Sequence, residues 1–262
     1  MFSVLNQNKT FVVMIDFSFL RQIRHFELNK AKAHFPQGAN LLELGAGAGW
    51  QAKQLSDQGF SVSAIDIPST EYLVHQEFPV LPYDGEHIPF PDAHFDVVFS
   101  SNVMEHVADL SGMHAEIQRV LKPGGLVLHI LPTTSWRFWT SMVHPLGVLR
   151  NNHLYSRSTL IRRPGLVLRT LLRHFWPELH GERGNIITEL YFFSSAFWHK
   201  NFARHGFVVK ENRAVGLFYT GYMLRASSWS IPYRQALAKK LGSSCRLYLL
   251  QKADTTPSTP TT

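Results

Sequence analysis

The sequence predicts an α/β fold, with a doubly wound, mostly parallel seven-stranded sheet, helices on both faces and an α-rich insertion. Three observations carry this reading. Short apolar runs alternate with segments of helical spacing between residues 38 and 132, and the first of these runs ends in a glycine cluster. After an arginine- and aromatic-rich interruption, two more apolar runs complete the sheet. At 262 residues, 45% of them hydrophobic and 17% charged, the chain suits one domain with an elaborated insertion rather than two full domains.

The elements follow in order. Asp16 or Ser18 caps a helix that runs toward Phe35 and stops at Pro36. Leu41 to Leu44 is a strand, and helix spacing resumes near Gln51 until Gly59 offers a C-cap. Ser61 to Ile65 is the second strand, closed by Asp66, and Val80 to Tyr83 and Phe95 to Phe99 are the third and fourth, with turn-rich sequence between them. Leu110, Met113, Ile117, Val120 and Leu121 share a helix face that Pro123-Gly124-Gly125 ends, and Leu126 to Leu131 is the fifth strand. A helix Ser195 to Arg204 and strands Phe207 to Lys210 and Leu247 to Leu250 close the order. The expected organisation is an N-terminal helical segment (1–37), a nucleotide-binding core (38–132), an insertion (133–193), the C-terminal part of the sheet (194–252) and a disordered tail (253–262).

Composition narrows the function classes. The single cysteine, Cys245, forbids an intrachain disulfide and reads as a small buried hydrophobe, and neither CxxC nor HExxH is present. Phe11 to Ile15 is too short for a secretory apolar region, and Arg225 and Pro232 break the most apolar late segment, so a cytoplasmic protein is expected. The formal net charge of +7 points to anionic partners without naming one.

Gly45, Gly47 and Gly49 let the backbone turn sharply under a ligand. The run Gly-Ala-Gly-Ala-Gly is followed by Trp50, where a dinucleotide fingerprint requires a third small residue. Glu43, just before the turn, would repel a pyrophosphate and suits the cationic end of an aminoacyl sulfonium. Asp66, at the end of the second strand, stands where a carboxylate accepts both ribose hydroxyls of an adenosine. An NAD-dependent oxidoreductase is therefore the weaker alternative.

The segments LLELGAGAGW, SAIDI, YDGEHIPFPDAHFDVVFSSNVMEHV and RVLKPGGLVLHI resemble, in order, the motifs of the small-molecule class I S-adenosylmethionine (SAM) dependent methyltransferases related to quinone-biosynthesis enzymes. The resemblance covers residues 38–131. It implies a Rossmann-like fold, SAM as cofactor, and methyl transfer to oxygen or carbon of a small-molecule or lipid-linked acceptor, with a catalytically silent SAM-binding module as the alternative. It also implies that Asp84 and Gly85 flank the adenine. Ala46 and Ile67 complete the expected cofactor wall, and Asn102 and Val103, beyond the fourth strand, face the cleft.

A base is needed only for a reluctant acceptor, and His106 is the candidate among fourteen histidines because it follows the fourth strand into the loop beside the methyl site. A hydrogen bond that orders this loop is the competing role. Some quinone-pathway relatives carry ExxEH here and bind a metal. Asn102 replaces the first glutamate, and no metal set is expected. His144, His180, Glu189 and Tyr191 lie where the insertion should cover the acceptor. Between Arg137 and Arg183 stand eight arginines, no lysine and two acids. With Leu168, Leu172 and Trp176, this segment reads either as a lid or as an amphipathic helix on an anionic membrane. Nucleic acid binding is not expected, because no RNA-binding module or base-reading motif accompanies the charge. The oligomeric state is not legible.

Overall fold

A computed structural model describes residues 16–68, 72, 74–151, 165, 180–185, 187–221 and 229–253, without the side chains of 145–151. The extreme N-terminus, the C-terminal tail and the segment 166–176 lie outside the described residues. So do Arg162, Arg163, Arg169 and Arg173.

Helix α1 (Phe17–Ala31) starts where the Asp16 carboxylate accepts the Phe19 amide at 3.1 Å. Then follow β1 (Asn40–Leu44), α2 (Trp50–Ser56), β2 (Ser61–Asp66), a short β3 (Leu81–Pro82) and β4 (Phe95–Ser101). Next come α3 (Leu110–Val120), β5 (Leu121–Pro132), α4 (Thr134–Asn151), α5 (Glu189–Phe192), α6 (Ser195–Arg204), β6 (Phe207–Ala214), α7 (Ile231–Leu241) and β7 (Cys245–Lys252). The sheet has seven strands in the order β3-β2-β1-β4-β5-β7-β6. The first five are parallel and β7 is antiparallel to both neighbours.

Strand alternation divides the core. Leu41, Val97, Leu128 and Leu247 face α1 and α2, while Leu42, Val98, Val127 and Tyr248 face α3 and α6. Strand β1 lies between β2 and β4, and chain progression reverses there, so a crevice opens beyond the carboxyl ends of β1 and β4. That crevice holds the candidate site.

Three local differences from the sequence expectation have physical causes. Strand β5 begins at Leu121, not Leu126, because Leu121 is already extended (ψ 128°) and pairs with Phe95 before a register shift. Pro123 favours extended backbone in the residue before it, so α3 stops short of the Pro-Gly-Gly run. Strands β6 and β7 extend beyond their apolar centres because antiparallel pairing continues through polar residues. Helix α7 is not anticipated by the sequence analysis. Its signal is Ser230, whose hydroxyl caps Tyr233, followed by a proline in the first turn.

Candidate active site

The turn after β1 takes its shape from glycine. Gly45, Gly47 and Gly49 have φ of 73°, 56° and 73°, a left-handed backbone that disfavours other residues. A Cβ on Gly45 would strike the Val103 side chain, and one on Gly49 would lie 2.8 Å from the Phe78 Cβ. On Gly47 it would meet only the Tyr72 ring, at 3.5 Å. Two of these glycines therefore answer to protein packing, and Gly47 lines the pocket.

The amides of this turn are largely committed. Gly45 and Ala46 donate to Ile65 O at 2.8 and 3.1 Å, Gly49 donates to Ala46 O at 2.8 Å, and Gly47 donates to Asp66 Oδ2 at 2.6 Å. A pyrophosphate nest requires free amides. This turn offers space instead, which disfavours a dinucleotide.

Asp66 closes β2, and its other oxygen accepts the Ile67 amide at 2.7 Å. Burial raises its pKa against those hydrogen bonds. Glu43 lies behind the turn, 3% exposed, and its Oε2 has no hydrogen-bond partner. Burial pushes its carboxyl up to about 8, opposed by a hydrogen bond from the Ala52 amide and by Arg24. A buried carboxylate oxygen without a donor fits the ammonium end of an amino-acid ligand.

Opposite the turn, Asn102 and His106 follow β4, Leu20 and Arg24 come from α1, and Trp136 and His180 come from the insertion. Among the described residues, Asn102 is one of two non-glycine residues with positive φ (57°). Its amide nitrogen donates to Ser101 Oγ at 3.2 Å, and Cys245 Sγ donates to its side-chain oxygen at 3.5 Å. Cys245 itself is buried, as the sequence implies. Arg24 pairs with the fully buried Glu27 at 2.5 Å, while Ser101 Oγ and Tyr219 OH both donate to Glu27 at 3.0 Å. Arg24, Ser101 and Tyr219 reach the pocket wall. Sequence reading misses Arg24 and Glu27, because within a helical pattern they look like a surface pair one turn apart.

The His106 and His180 rings meet edge to face with centroids 4.9 Å apart, and burial holds both imidazoles below the ordinary histidine range, His180 at about 3. Glu105 is 4% exposed with neither carboxylate oxygen hydrogen-bonded, and burial raises its pKa to about 7. Glu105, His106 and His180 each offer a donor atom within 4.8 Å of the others. This histidine-rich set is suited to proton transfer or to a borderline cation, and it is invisible in sequence because His180 arrives from the distant insertion.

The other expected site residues divide. Ile67 and Gly85 approach each other, since a Cβ on Gly85 would lie 3.2 Å from Ile67 Cγ2. Asp84 is solvent-exposed beside them and accepts the Glu86 and His87 amides at 2.8 and 2.7 Å, which holds its pKa low. Val103 packs on Gly45 and the core facing α3. His144 is buried on α4, Tyr191 is exposed beside Phe192 and Phe197, and Glu189 is buried in an ion pair with Arg137; none of these three lines the pocket, and neither do Glu43, Gly49, Ile67, Asp84, Gly85 and Val103. Asp96, at the start of β4, accepts the Asn40 amide at 2.9 Å and Lys122 Nζ at 2.8 Å.

Residues 42–129 match the methyltransferase domain family. The chain is 36% identical over 95 residues to a malonyl-[acyl-carrier protein] O-methyltransferase of Serratia marcescens, a match covering 35% of this chain and 37% of the relative. It is 31% identical over 127 residues to a ubiquinone biosynthesis O-methyltransferase of Paramagnetospirillum magneticum, covering 45% and 51%. The matches thus span from about a third to about half of the curated relatives' lengths. The fold is similar to that of a SAM-dependent methyltransferase from Mesorhizobium loti, with TM-score 0.54, 17% identity, and coverage of 87% of this chain and 98% of that one.

Proposed function

Taking residues 42–129 as a methyltransferase domain, we propose that the chain binds SAM in the crevice beyond β1 and β4 and transfers its methyl group to oxygen or carbon of a small-molecule or lipid-linked acceptor. The observation that carries this reading is the joining of the left-handed glycine turn and the Asp66 carboxylate in one pocket wall, by the 2.6 Å bond from Gly47. SAM supplies a methyl group already activated on a sulfonium.

The chain's residues supply binding and alignment. Gly47 leaves room beside the turn, and Asp66 retains lone pairs for ribose hydroxyls. Glu43 offers its unpartnered oxygen to an ammonium group, and the Arg24 guanidinium offers charge to a carboxylate. Asp84, Gly85 and Ile67 are assigned the adenine side, Asn102 lines the floor, and Val103 supports the turn by packing on Gly45. Where the acceptor is a hydroxyl, His106 is the candidate base at the pocket; burial keeps its imidazole neutral and by the same desolvation weakens it as a proton acceptor. His180 and Trp136 form the opposite wall.

Incubation with methyl-labelled SAM and an extract of cell lipids and metabolites tests the proposal. A labelled extractable product supports transfer, whereas SAM binding without product supports the silent module.

The described part of the insertion supports the lid reading, because Trp136 and His180 stand directly at the pocket. Among the described residues no helix is long and apolar enough to cross a membrane. Contact between Arg162, Arg163, Arg169 and Arg173 and an anionic membrane remains a proposal about localisation. Its test is salt-dependent co-sedimentation with anionic vesicles, lost when the four arginines become glutamine.

A further inference from the structure

We infer that Glu189 is a positioning residue, holding His180 in the pocket wall beside Trp136 and His106. The inference rests on the functional reading above, which makes that wall the acceptor side. The Glu189 side chain is fully buried, and its two oxygens serve two different parts of the chain. Oε1 accepts the backbone amides of His180 and Gly181, each at 2.7 Å. Oε2 lies 2.6 Å from Nε of the buried Arg137 on α4, an ion-pair contact without hydrogen-bond geometry.

Arg137 follows Trp136, whose ring lies 4.4 Å from that of His180. One carboxylate therefore holds both the backbone that carries His180 and the helix residue next to Trp136, whose ring His180 meets. The segment 180–183, a strap, continues onto the loop that carries Glu105 and His106. Glu182 donates its amide to Glu105 O at 3.2 Å, and Arg183 donates to Ala108 O at 3.0 Å. A Cβ on Gly181 would lie 3.1 Å from Glu105 O, so the strap and loop touch backbone to backbone. Glu189 anchors the far side of this contact. In sequence it reads as an acceptor contact; in the fold its carboxylate is committed to the strap.

Two double variants separate positioning from general stability. Glu189→Gln/Arg137→Met removes the ion pair and keeps an oxygen for the two amides, whereas Glu189→Leu/Arg137→Met removes both. Both members of the ion pair are replaced together, and apolar replacement of a buried ion pair is often tolerated. Carbethoxylation by diethyl pyrocarbonate, located by mass spectrometry, reads the exposure of each histidine. In the Leu/Met variant His180 should react roughly tenfold faster than in wild type, through local opening of the strap. In the Gln/Met variant it should react at close to the wild-type rate. His114 and His129, buried on the other face of the sheet, should be unchanged in both. Equal His180 reactivity in the two variants overturns the inference.

Hydrogen exchange on the wild-type protein needs no variant. The His180 and Gly181 amides should be protected, and exchange at open-loop rates overturns the inference as well. Titration of the same wild-type sample with SAM reads the cofactor assignment separately. Failure to bind SAM removes the functional meaning of the wall, whereas equal labelling removes the role of Glu189.

Discussion

Asp66 accepts the Gly47 amide at 2.6 Å, so the acid at the end of β2 and the glycine turn after β1 are held as one unit. With Ile67 also donating to it at 2.7 Å, the carboxylate acts as a structural brace, and under the proposed function it also receives the cofactor. Asp66→Asn should therefore lower both stability and SAM affinity, because its NH2 group faces one of two amide donors and a bond worth about 1 kcal/mol is lost in the fold. Urea denaturation and SAM titration of the same variant check this. An unchanged midpoint would place Asp66 outside the brace.

Gly49 and Gly47 should fail differently when substituted. Gly49→Ala should destabilise the fold, because its Cβ meets Phe78 side chain and backbone at 2.8 and 3.2 Å. Gly47→Val should cost about 1–2 kcal/mol from its left-handed backbone, stay folded, and lose SAM binding, because its side chain enters the pocket. Thermal melts with calorimetry separate the two. A Gly47→Val protein that binds SAM normally would contradict the placement of the turn.

Much of the fold was legible in the sequence, because β1, β2, β4 and α3 each combine a periodic apolar pattern with a turn or cap signal. The glycine turn was legible for the same kind of reason, since a positive φ leaves a mark in residue type. Arg24 and Glu27 were not, and His180, although expected over the acceptor from its place in the insertion, gave no sign of its approach to Glu105 and His106. Their roles arise only when α1 and the insertion fold over the carboxyl ends of the strands, and neither periodicity nor spacing encodes that approach. Glu189 illustrates the opposite difficulty: a lone acid in an aromatic segment looks like a ligand contact, and its buried amide partners appear only in three dimensions.

The raised pKa of Glu43 gives a pH signature. Burial keeps the carboxyl protonated up to about 8, and an ammonium partner would drive that proton off. SAM affinity should rise as pH increases toward 8, with proton release visible as buffer-dependent binding heat. For the free protein the sign is opposite. The stabilising contribution of protonated Glu43 is fully present below its unfolded pKa and is lost as pH rises through about 8. Glu43→Gln should therefore gain stability over wild type at pH 9 and show little gain at pH 5, measured by denaturant titration.

His129 and His114 control the acid side. Burial lowers their pKa values to about 3 and about 4, so their contribution is full above the unfolded histidine value and is lost as pH falls through the folded values. His129 also bonds Ser100 Oγ at 2.7 Å. His129→Gln should flatten the loss of thermal stability between pH 7 and pH 4. A wild-type slope in the variant would show that other groups dominate acid unfolding.

Direct calorimetric titration of the wild-type protein and Asp66→Ala with SAM tests the central claim. The wild-type chain should bind one SAM, and Asp66→Ala should bind it about 1–3 kcal/mol more weakly through lost charged hydrogen bonds. Absence of binding to the wild-type protein, or equal affinity in the two, would contradict the placement of the cofactor between Asp66 and the glycine turn.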